Sequence, residues 1–165
     1  MAHIVAVCRS EQRMESKVDV GQGELRQDHG LVGDSHAGLS QPFDKLVLSE
    51  AEGLRTPRQV SLLDLESIER ANREHGIEAV PGSFAENLTI LRQAQDTAQG
   101  LDLLSLKVGD RLQVGEALLE VVQIGKPPEV AHTYNFQGVS VLPTEGVFCR
   151  VVEGGWVRRG DEIAR

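Results

Sequence analysis

Apolar positions along the chain fall mostly into short runs that are separated by glycines and polar residues. HIVAVC at residues 3–8 is rich in β-branched side chains and predicts a strand, and VDV at 18–20 indicates a shorter one. LRQAQDTAQG at 91–100 has few apolar residues and predicts an exposed loop or a frayed helical turn. RLQVGEALLEVV at 111–122 has the form of a hairpin with its turn at Gly115.

One segment, SLLDLESIERANREHG at 61–76, has helical periodicity. Ser61 is the predicted N-cap, with Asp64 three residues later in an arrangement similar to a capping box. One apolar stripe follows on the same face: Leu62, Leu65, Ile68 and Ala71. Gly76 supplies a stop signal, so the pattern predicts one clear helix over about 61–75.

The C-terminal segment GVFCRVVEGGWVRRGDEIA reads as strand, Gly-Gly turn, short strand, Gly-Asp turn and final strand. Many short strands with glycine turns and a single good helix predict a mostly β fold, a barrel or a sandwich, with only short helical pieces besides. No internal repeat or domain boundary is visible, so a single domain over 1–165 is expected. Five glycines are expected at positive φ without any chemical role: Gly33, Gly82, Gly109, Gly146 and Gly160.

Composition restricts the partners more than the fold. The chain has 165 residues, of which 40% are apolar and 4% aromatic, and a net charge of −8. That charge argues against general binding to nucleic acid or an anionic membrane surface, which requires a basic face. A local cluster of arginines could still bind one small anion.

The first apolar run is too short for a signal peptide or a bilayer span, and Cys8 and Cys149 do not form a disulfide framework, so a cytoplasmic location is expected.

Five blocks together carry a family resemblance: GLVGDSHAG, RQVSLLDLESI, PGSFAENLT, LKVGDRLQVGEALLEV and EGVFCRVVEGGWVRRGDEI. In this order and spacing they resemble a stand-alone bacterial MOSC domain, the family named for the C-terminal domain of molybdenum cofactor sulfurase. The resemblance extends from about residue 18 to the C-terminus. It implies a MOSC-type, barrel-like β fold and a function in binding, or transferring sulfur to, molybdenum cofactor. It also implies molybdenum-ion and pyridoxal phosphate binding at family level, and some relatives reduce N-hydroxylated compounds.

The chain departs from the family where sulfur chemistry is expected. After the strand that corresponds to LLEVVQI the family has a basic residue and, two positions later, a cysteine; here Lys126 matches the basic position and Pro128 replaces the cysteine. Further cysteines of the closest subgroup, near His132 and Ser140, are missing as well. Only a thiolate can carry sulfane sulfur as a persulfide, and thiolates are the natural ligands of soft metals. Persulfide relay through this loop therefore requires another cysteine.

Three residues in the N-terminal half of the chain are candidates for binding a ligand. Asp34 and His36 in GDSH are two apart, and would form half of a metal site or a carboxylate-held imidazole; the alternative is a turn in which Asp34 binds backbone amides. Arg58 precedes the predicted helix start at Ser61, where guanidinium and free amides would suit a phosphate-bearing pterin. The alternative for Arg58 is a surface ion pair.

Further candidates lie later in the chain. Asn87 either contacts substrate or fixes its loop through backbone hydrogen bonds. Lys126 and Arg150 flank the segment without cysteine and would retain affinity for an anion, or are solvated cations. Cys149 is either a small apolar core residue or, beside a cation, a substitute catalytic thiol. No metal-ligand set of conventional spacing is present in the sequence.

Three functions remain open at this point. The favoured one is a domain that binds or carries molybdenum cofactor, or a related pterin phosphate or oxyanion, without transferring persulfide. Its partners would be the small-molecule cofactor and a molybdoenzyme or cofactor-biosynthesis protein. The second is a MOSC-type sulfurtransferase or reductase that uses Cys149. The third is a non-catalytic protein-interaction domain with an acidic surface.

Overall fold

The computed structural model of the chain describes residues 2–38, 46–48, 55–92, 101–125 and 134–165. In chain order its strands are β1 (Ala2–Arg9), β2 (Val18–Asp19), β3 (Gln22–Arg26), β4 (Gly30–Leu31), β5 (Leu46–Leu48), β6 (Arg55–Pro57), β7 (Val60–Asp64), β8 (Leu88–Arg92), β9 (Arg111–Val114), β10 (Ala117–Ile124), β11 (Val147–Glu153), β12 (Gly155–Arg158) and β13 (Glu162–Ala164). The helices are α1 (Leu65–His75) and the single turn α2 (Leu142–Glu145), and a 3-10 turn covers Leu103–Ser105.

Seven of these strands close into a barrel. Their order is β13, β9, β10, β11, β7, β8 and β1, and β1 pairs back with β13 through Ala2 and Ile163. All of these pairs are antiparallel except β7 with β8, which are parallel and connected through α1. The mostly β, barrel-like fold with one clear helix is therefore confirmed.

Two apolar clusters support the barrel, as the alternation of side chains along its strands requires. The interior is almost entirely aliphatic and includes Ile4, Leu62, Leu88, Leu119 and Val151. The second cluster lies under the two helices on the outer side of β7 and β11, and contains Leu63, Ile68, Phe84, Leu142 and Phe148. An ion pair between Arg70 of α1 and Glu145 of α2 joins the helices above it.

The predicted start of the helix at Ser61 is wrong. Ser61 lies within β7, opposite Phe148 of β11, because this segment completes the barrel between β8 and β11. The helix begins at Leu65, and Asp64 is its N-cap, with Oδ1 accepting a hydrogen bond from the Glu66 amide at 3.1 Å. Gly76 ends the helix in the left-handed conformation as predicted, at φ 63°.

The strand predictions hold for β1, β2 and the β9–β10 hairpin, but one pairing differs from the chain order. Strand β12 follows β11 directly, yet it pairs with β3 in a separate sheet of β12, β3 and β4. Positive φ is confirmed at Gly33, Gly82, Gly109 and Gly160 and is wrong for Gly146, whose φ is −74°. In the predicted loop at 91–100, the first two residues belong to β8 and the others lie outside the described residues.

No helix in the described part of the chain is both long enough and apolar enough to cross a bilayer.

Candidate functional site

The loop after β1 and the loop after β4 are joined by a buried ion pair. The Lys17 ammonium lies 2.6 Å from Asp34 Oδ1, with 1% and 0% of the two side chains exposed. The amide of Ser10 also donates to Asp34 Oδ1, at 3.1 Å. Burial opposes ionisation of Asp34, but the Lys17 charge and these hydrogen bonds outweigh it and hold the pKa of this carboxyl below its ordinary value. The pair is therefore a charged one.

Lys17 has further contacts that make it the centre of the cluster. Its Nζ lies 3.2 Å from His36 Nδ1 and 3.4 Å from Ser10 Oγ, and its backbone amide donates to the Gly82 carbonyl at 2.9 Å. The sequence did not indicate this residue, because lysine is almost always exposed and only the partner Asp34, 17 positions away, explains its burial.

His36 and Asp34 come together, but through a turn. The His36 backbone amide donates to Asp34 Oδ2 at 3.2 Å, while the ring nitrogen Nδ1 lies 4.0 Å from that oxygen. The hydroxyl of Ser35 is 3.3 Å from Nδ1. This geometry corresponds to the turn alternative, in which Asp34 binds backbone amides. Among the described residues, no three His, Cys, Asp or Glu side chains come close enough to form a metal site.

Asn87 connects this cluster to the barrel. Its side-chain amide donates to the Cys8 carbonyl at 3.1 Å, and its Oδ1 accepts from the Ser61 amide at 3.0 Å. Asn87 also contributes to the lowered pKa of the Asp34 carboxyl. Three segments that are distant in the sequence thus meet at one buried amide, which positions Asp34 relative to β1 and β7.

Glu86, next to Asn87, is fully buried. Its Oε1 accepts hydrogen bonds from the Gly82 amide at 2.6 Å and from Thr89 Oγ1 at 2.9 Å, whereas Oε2 has no partner in the described part of the chain. Burial raises the pKa of this carboxyl above its ordinary value.

Arg58 is buried on the outer side of the barrel, with its guanidinium 5.6 Å from the centroid of the Phe148 ring. The predicted anion pocket between Arg58 and a helix start at Ser61 is wrong, because the helix begins at Leu65 and the carboxylate of Asp64 caps it. Phe148 pairs with Ser61 across the sheet, and Ser61 bonds Asn87.

Arg150 is not part of this cluster. Its guanidinium contacts Glu120 of β10 at 3.1 Å and Asp28 at 3.3 Å, on the outer face of the β10–β11 ladder. Lys126 and Pro128 lie outside the described residues. The next described segment begins at Tyr134, whose hydroxyl forms a hydrogen bond with Ser16 Oγ.

Both cysteines of the chain are fully buried. Cys149 belongs to the barrel interior, and burial together with the charge of Glu120 raises the pKa of its thiol. Cys8 lies beside Gly82, and burial, Glu86 and Asp19 raise its pKa in the same way. A neutral, enclosed thiol is a poor nucleophile, so the geometry favours the core interpretation of Cys149.

The sequence profile described as the MOSC domain matches residues 49–164, well over half of the chain. The chain belongs to the MOSC domain family. Among curated proteins, none matches its sequence significantly.

Solved structures share the MOSC fold with this chain at low sequence identity. The YuaD protein from Bacillus subtilis is 18% identical with a TM-score of 0.66, and the alignment covers 98% of this chain and 93% of that one. YiiM from Geobacillus stearothermophilus is 17% identical with a TM-score of 0.62, covering 99% and 74%. YiiM from Escherichia coli is 21% identical with a TM-score of 0.57, covering 100% and 70%.

Two arginines of this MOSC domain lie beside the buried pair, on the chain after β1. Arg13 Nε donates to the Ser35 carbonyl at 3.4 Å, and its Nη1 is buried without a partner among the described residues. Arg9 Nη1 donates to the Val32 carbonyl at 3.4 Å. A shallow depression of about 380 Å³ lies along this segment, lined by Arg9, Ser10, Glu11, Gln12, Glu15, Ser16, Val18 and Val20. A buried guanidinium nitrogen without an acceptor is suited to an anionic oxygen.

Proposed function

We propose that this MOSC domain binds molybdenum cofactor, or a related pterin phosphate or oxyanion, and does so without transferring persulfide sulfur. The observation that carries the proposal is Arg13 Nη1, a buried donor with no acceptor among the described residues, next to the Lys17–Asp34–His36 cluster. Buried donors in proteins are normally satisfied, so an incoming oxygen would complete this one.

The residues present fit one part of the cofactor better than the other. A phosphate or oxyanion would take charge-assisted hydrogen bonds from Arg13. The metal end of the cofactor prefers a soft thiolate, and the two thiols of the chain are buried. When bound, the cofactor would supply molybdenum redox chemistry, while this chain contributes recognition and shielding.

Such a domain would act as a binding or carrier module that delivers its ligand to a molybdoenzyme or receives it from a cofactor-biosynthesis protein. Family membership supports this role. Pyridoxal phosphate, which the family resemblance also suggests, offers a similar phosphate group and therefore serves as a second probe of the same site.

Binding can be measured by calorimetry with purified cofactor, with inorganic phosphate, with molybdate and with pyridoxal phosphate as separate probes. We expect saturable binding that weakens about tenfold or more in Arg13→Ala, since one hydrogen bond to a charged group contributes roughly 1.5–3 kcal/mol. Arg73→Ala is the matched control, because Arg73 pairs with Glu66 on the exposed face of α1. No saturable binding of any probe at about tens of micromolar would overturn the proposal.

The part of the proposal that concerns sulfur has its own measurement. After incubation with a persulfide donor, mass spectrometry of the native protein should find no sulfur adduct on Cys149 or Cys8, because both thiols are enclosed. A stoichiometric adduct on Cys149, removed by Cys149→Ser, would instead establish a sulfur carrier.

A further inference from the structure

We propose that Arg9 and Arg13 together form a site for a ligand with two anionic groups, of which a diphosphate is the simplest. The inference rests on the proposed function and narrows it, because a paired site of this kind selects a diphosphate over a single phosphate or oxyanion. Arg9 is then the residue that determines this specificity, and Arg13 is the residue that both kinds of ligand share.

Neither guanidinium has a carboxylate partner among the described residues. Arg9 Nη1 donates to the Val32 carbonyl and Arg13 Nε to the Ser35 carbonyl, each at 3.4 Å. The chain carries 25 acidic residues against 17 lysines and arginines, so carboxylates are in excess and an arginine that contacts none of them stands out. Other arginines of the described segments each pair with Asp or Glu: Arg26, Arg70, Arg73, Arg92, Arg111, Arg150, Arg158, Arg159 and Arg165.

Both guanidinium groups are held by the same short loop after β4. Val32 and Ser35 are three residues apart, so their Cα atoms are separated by at most about 11 Å. The Arg9 side chain lies against Gly33, where a Cβ would come 2.8 Å from Nη1 and where φ is 87°. A carbonyl orients a guanidinium but does not neutralise its charge. The loop therefore holds two positive charges near each other and leaves both available to an anion.

The two carboxylates of the segment after β1 do not compensate these charges. Glu15 Oε1 accepts a hydrogen bond from the Gln12 amide at 3.2 Å, which closes a turn within the segment. The neighbouring Met14 has a left-handed backbone with φ 62°, a costly conformation for a residue other than glycine. Glu11 and Glu15 line the same depression as Arg9. Their charges repel an anion, so they confine the anionic groups of a ligand to the arginine end.

A diphosphate satisfies this arrangement better than a single phosphate. A guanidinium presents its N–H groups in a planar fork that binds phosphate oxygens in a bidentate manner. Arg13 Nη1, buried without an acceptor in the described part of the chain, would bind one phosphoryl group, and the exposed Arg9 would bind the other. Inorganic pyrophosphate, a nucleoside diphosphate and a diphosphate ester of the cofactor share this chemistry, so the experiment must separate these sources.

The test is calorimetry at low ionic strength with inorganic phosphate, pyrophosphate, a nucleoside diphosphate, and purified cofactor as its phosphate monoester and as a diphosphate ester. We expect pyrophosphate to bind about tenfold or more tightly than phosphate. Arg9→Ala should remove this advantage and leave phosphate affinity nearly unchanged, whereas Arg13→Ala should weaken both ligands. Arg26→Ala is the matched control, because it removes one exposed arginine that pairs with Glu24. If Arg13→Ala does not fold, Arg13→Lys keeps the charge without the planar fork and should still weaken both ligands.

The outcomes separate this inference from the proposed function. Equal affinity for phosphate and pyrophosphate, or the same pyrophosphate affinity in Arg9→Ala and Arg26→Ala, would overturn the paired site, while binding of cofactor that depends on Arg13 would leave the proposed function standing. Pyrophosphate binding that depends on both arginines, without binding of either cofactor form, would support the paired site and overturn the proposed function. Tightest binding by the nucleoside diphosphate or by the cofactor ester supports the paired site and identifies the source of the diphosphate.

Discussion

Lys17 and Asp34 form a salt bridge of 2.6 Å in which neither side chain is more than 1% exposed. The two residues belong to different loops, and the pair fixes the chain after β1 against the chain after β4. Because both charges are removed from water, each depends on the other for its solvation. The pair therefore stabilises this end of the barrel, where the two loops meet.

Removing one partner of this pair should destabilise the protein strongly. Lys17→Met leaves the Asp34 carboxylate unpaired in the interior, and we expect a loss of about 3–5 kcal/mol in the free energy of unfolding. Urea denaturation measures the loss. The double variant Lys17→Met/Asp34→Asn should recover most of it, since no charge remains buried. Arg73→Ala, which breaks the exposed pair with Glu66, should change stability by about 1 kcal/mol or less. Equal losses in the single and double variants would contradict this account.

The same pair has a pH dependence of known sign. The pKa of Asp34 is lower in the folded protein than its ordinary value of 3.8. Its contribution to stability is therefore complete above that value and is lost as the pH falls through the folded pKa. The wild type should lose its stability advantage over the double variant as the solution is acidified below pH 3.8.

Gly82 provides a test of how closely the loops approach. Gly82 and Gly160 share a φ of +91°, so alanine at either position is forced into a left-handed conformation that costs about 1–2 kcal/mol. A Cβ at Gly160 meets nothing within 4 Å, whereas at Gly82 it would collide with the Lys17 carbonyl. We expect Gly82→Ala to cost roughly 1–3 kcal/mol beyond Gly160→Ala in the free energy of unfolding. Equal effects would show that the two loops can separate without loss.

Much of the fold could be predicted because its signals are local. β-Branched side chains indicate β1, and a glycine turn indicates the β9–β10 hairpin. Gly76 ends the helix because glycine adopts the left-handed conformation easily. The sequence does not fix the start of the helix, because Ser61 and Asp64 are both good N-cap residues. Only the pairing of β7 with β8 and β11 places Ser61 in a strand and leaves Asp64 as the N-cap. The partner of β12 was missed for the same reason, because β3 lies far away in the sequence.

The candidate site could be predicted only in part. Asp34, His36 and Asn87 do come together, in a network that no local pattern describes. Lys17 and Arg13 were missed because their sequence context is that of solvated cations, and only tertiary contacts show their burial. Arg150 was grouped with the others by its nearness to the missing cysteine, yet Glu120 and Asp28 hold it elsewhere. Nearness in sequence is a poor guide to a site assembled from several loops.

The buried Glu86 carboxyl should cause the free energy of unfolding to decrease as the pH rises. Its pKa is raised above the ordinary value of 4.5, so its contribution is complete below that pH and is lost as the pH rises toward the folded pKa. Glu86→Gln keeps the acceptor for Gly82 and Thr89 but has no proton to lose. The stability of the Gln variant relative to wild type should therefore increase as the pH rises above 4.5, by at most about 1.4 kcal/mol per pH unit. Glu74→Gln on α1 controls for the loss of one negative charge, and parallel stability curves for wild type and Glu86→Gln would contradict the prediction.

The two cysteines should be unreactive until the protein unfolds. Cys149 lies inside the barrel and Cys8 under the Gly82 turn, and burial raises the pKa of both thiols. An aromatic disulfide reagent at neutral pH should label neither thiol in the native state and both in urea, because attack requires an accessible thiolate. The Cys8→Ser and Cys149→Ser variants assign any signal to one residue. Rapid native labelling that disappears in Cys149→Ser would place a thiolate at the surface and make sulfur transfer chemically available to this domain.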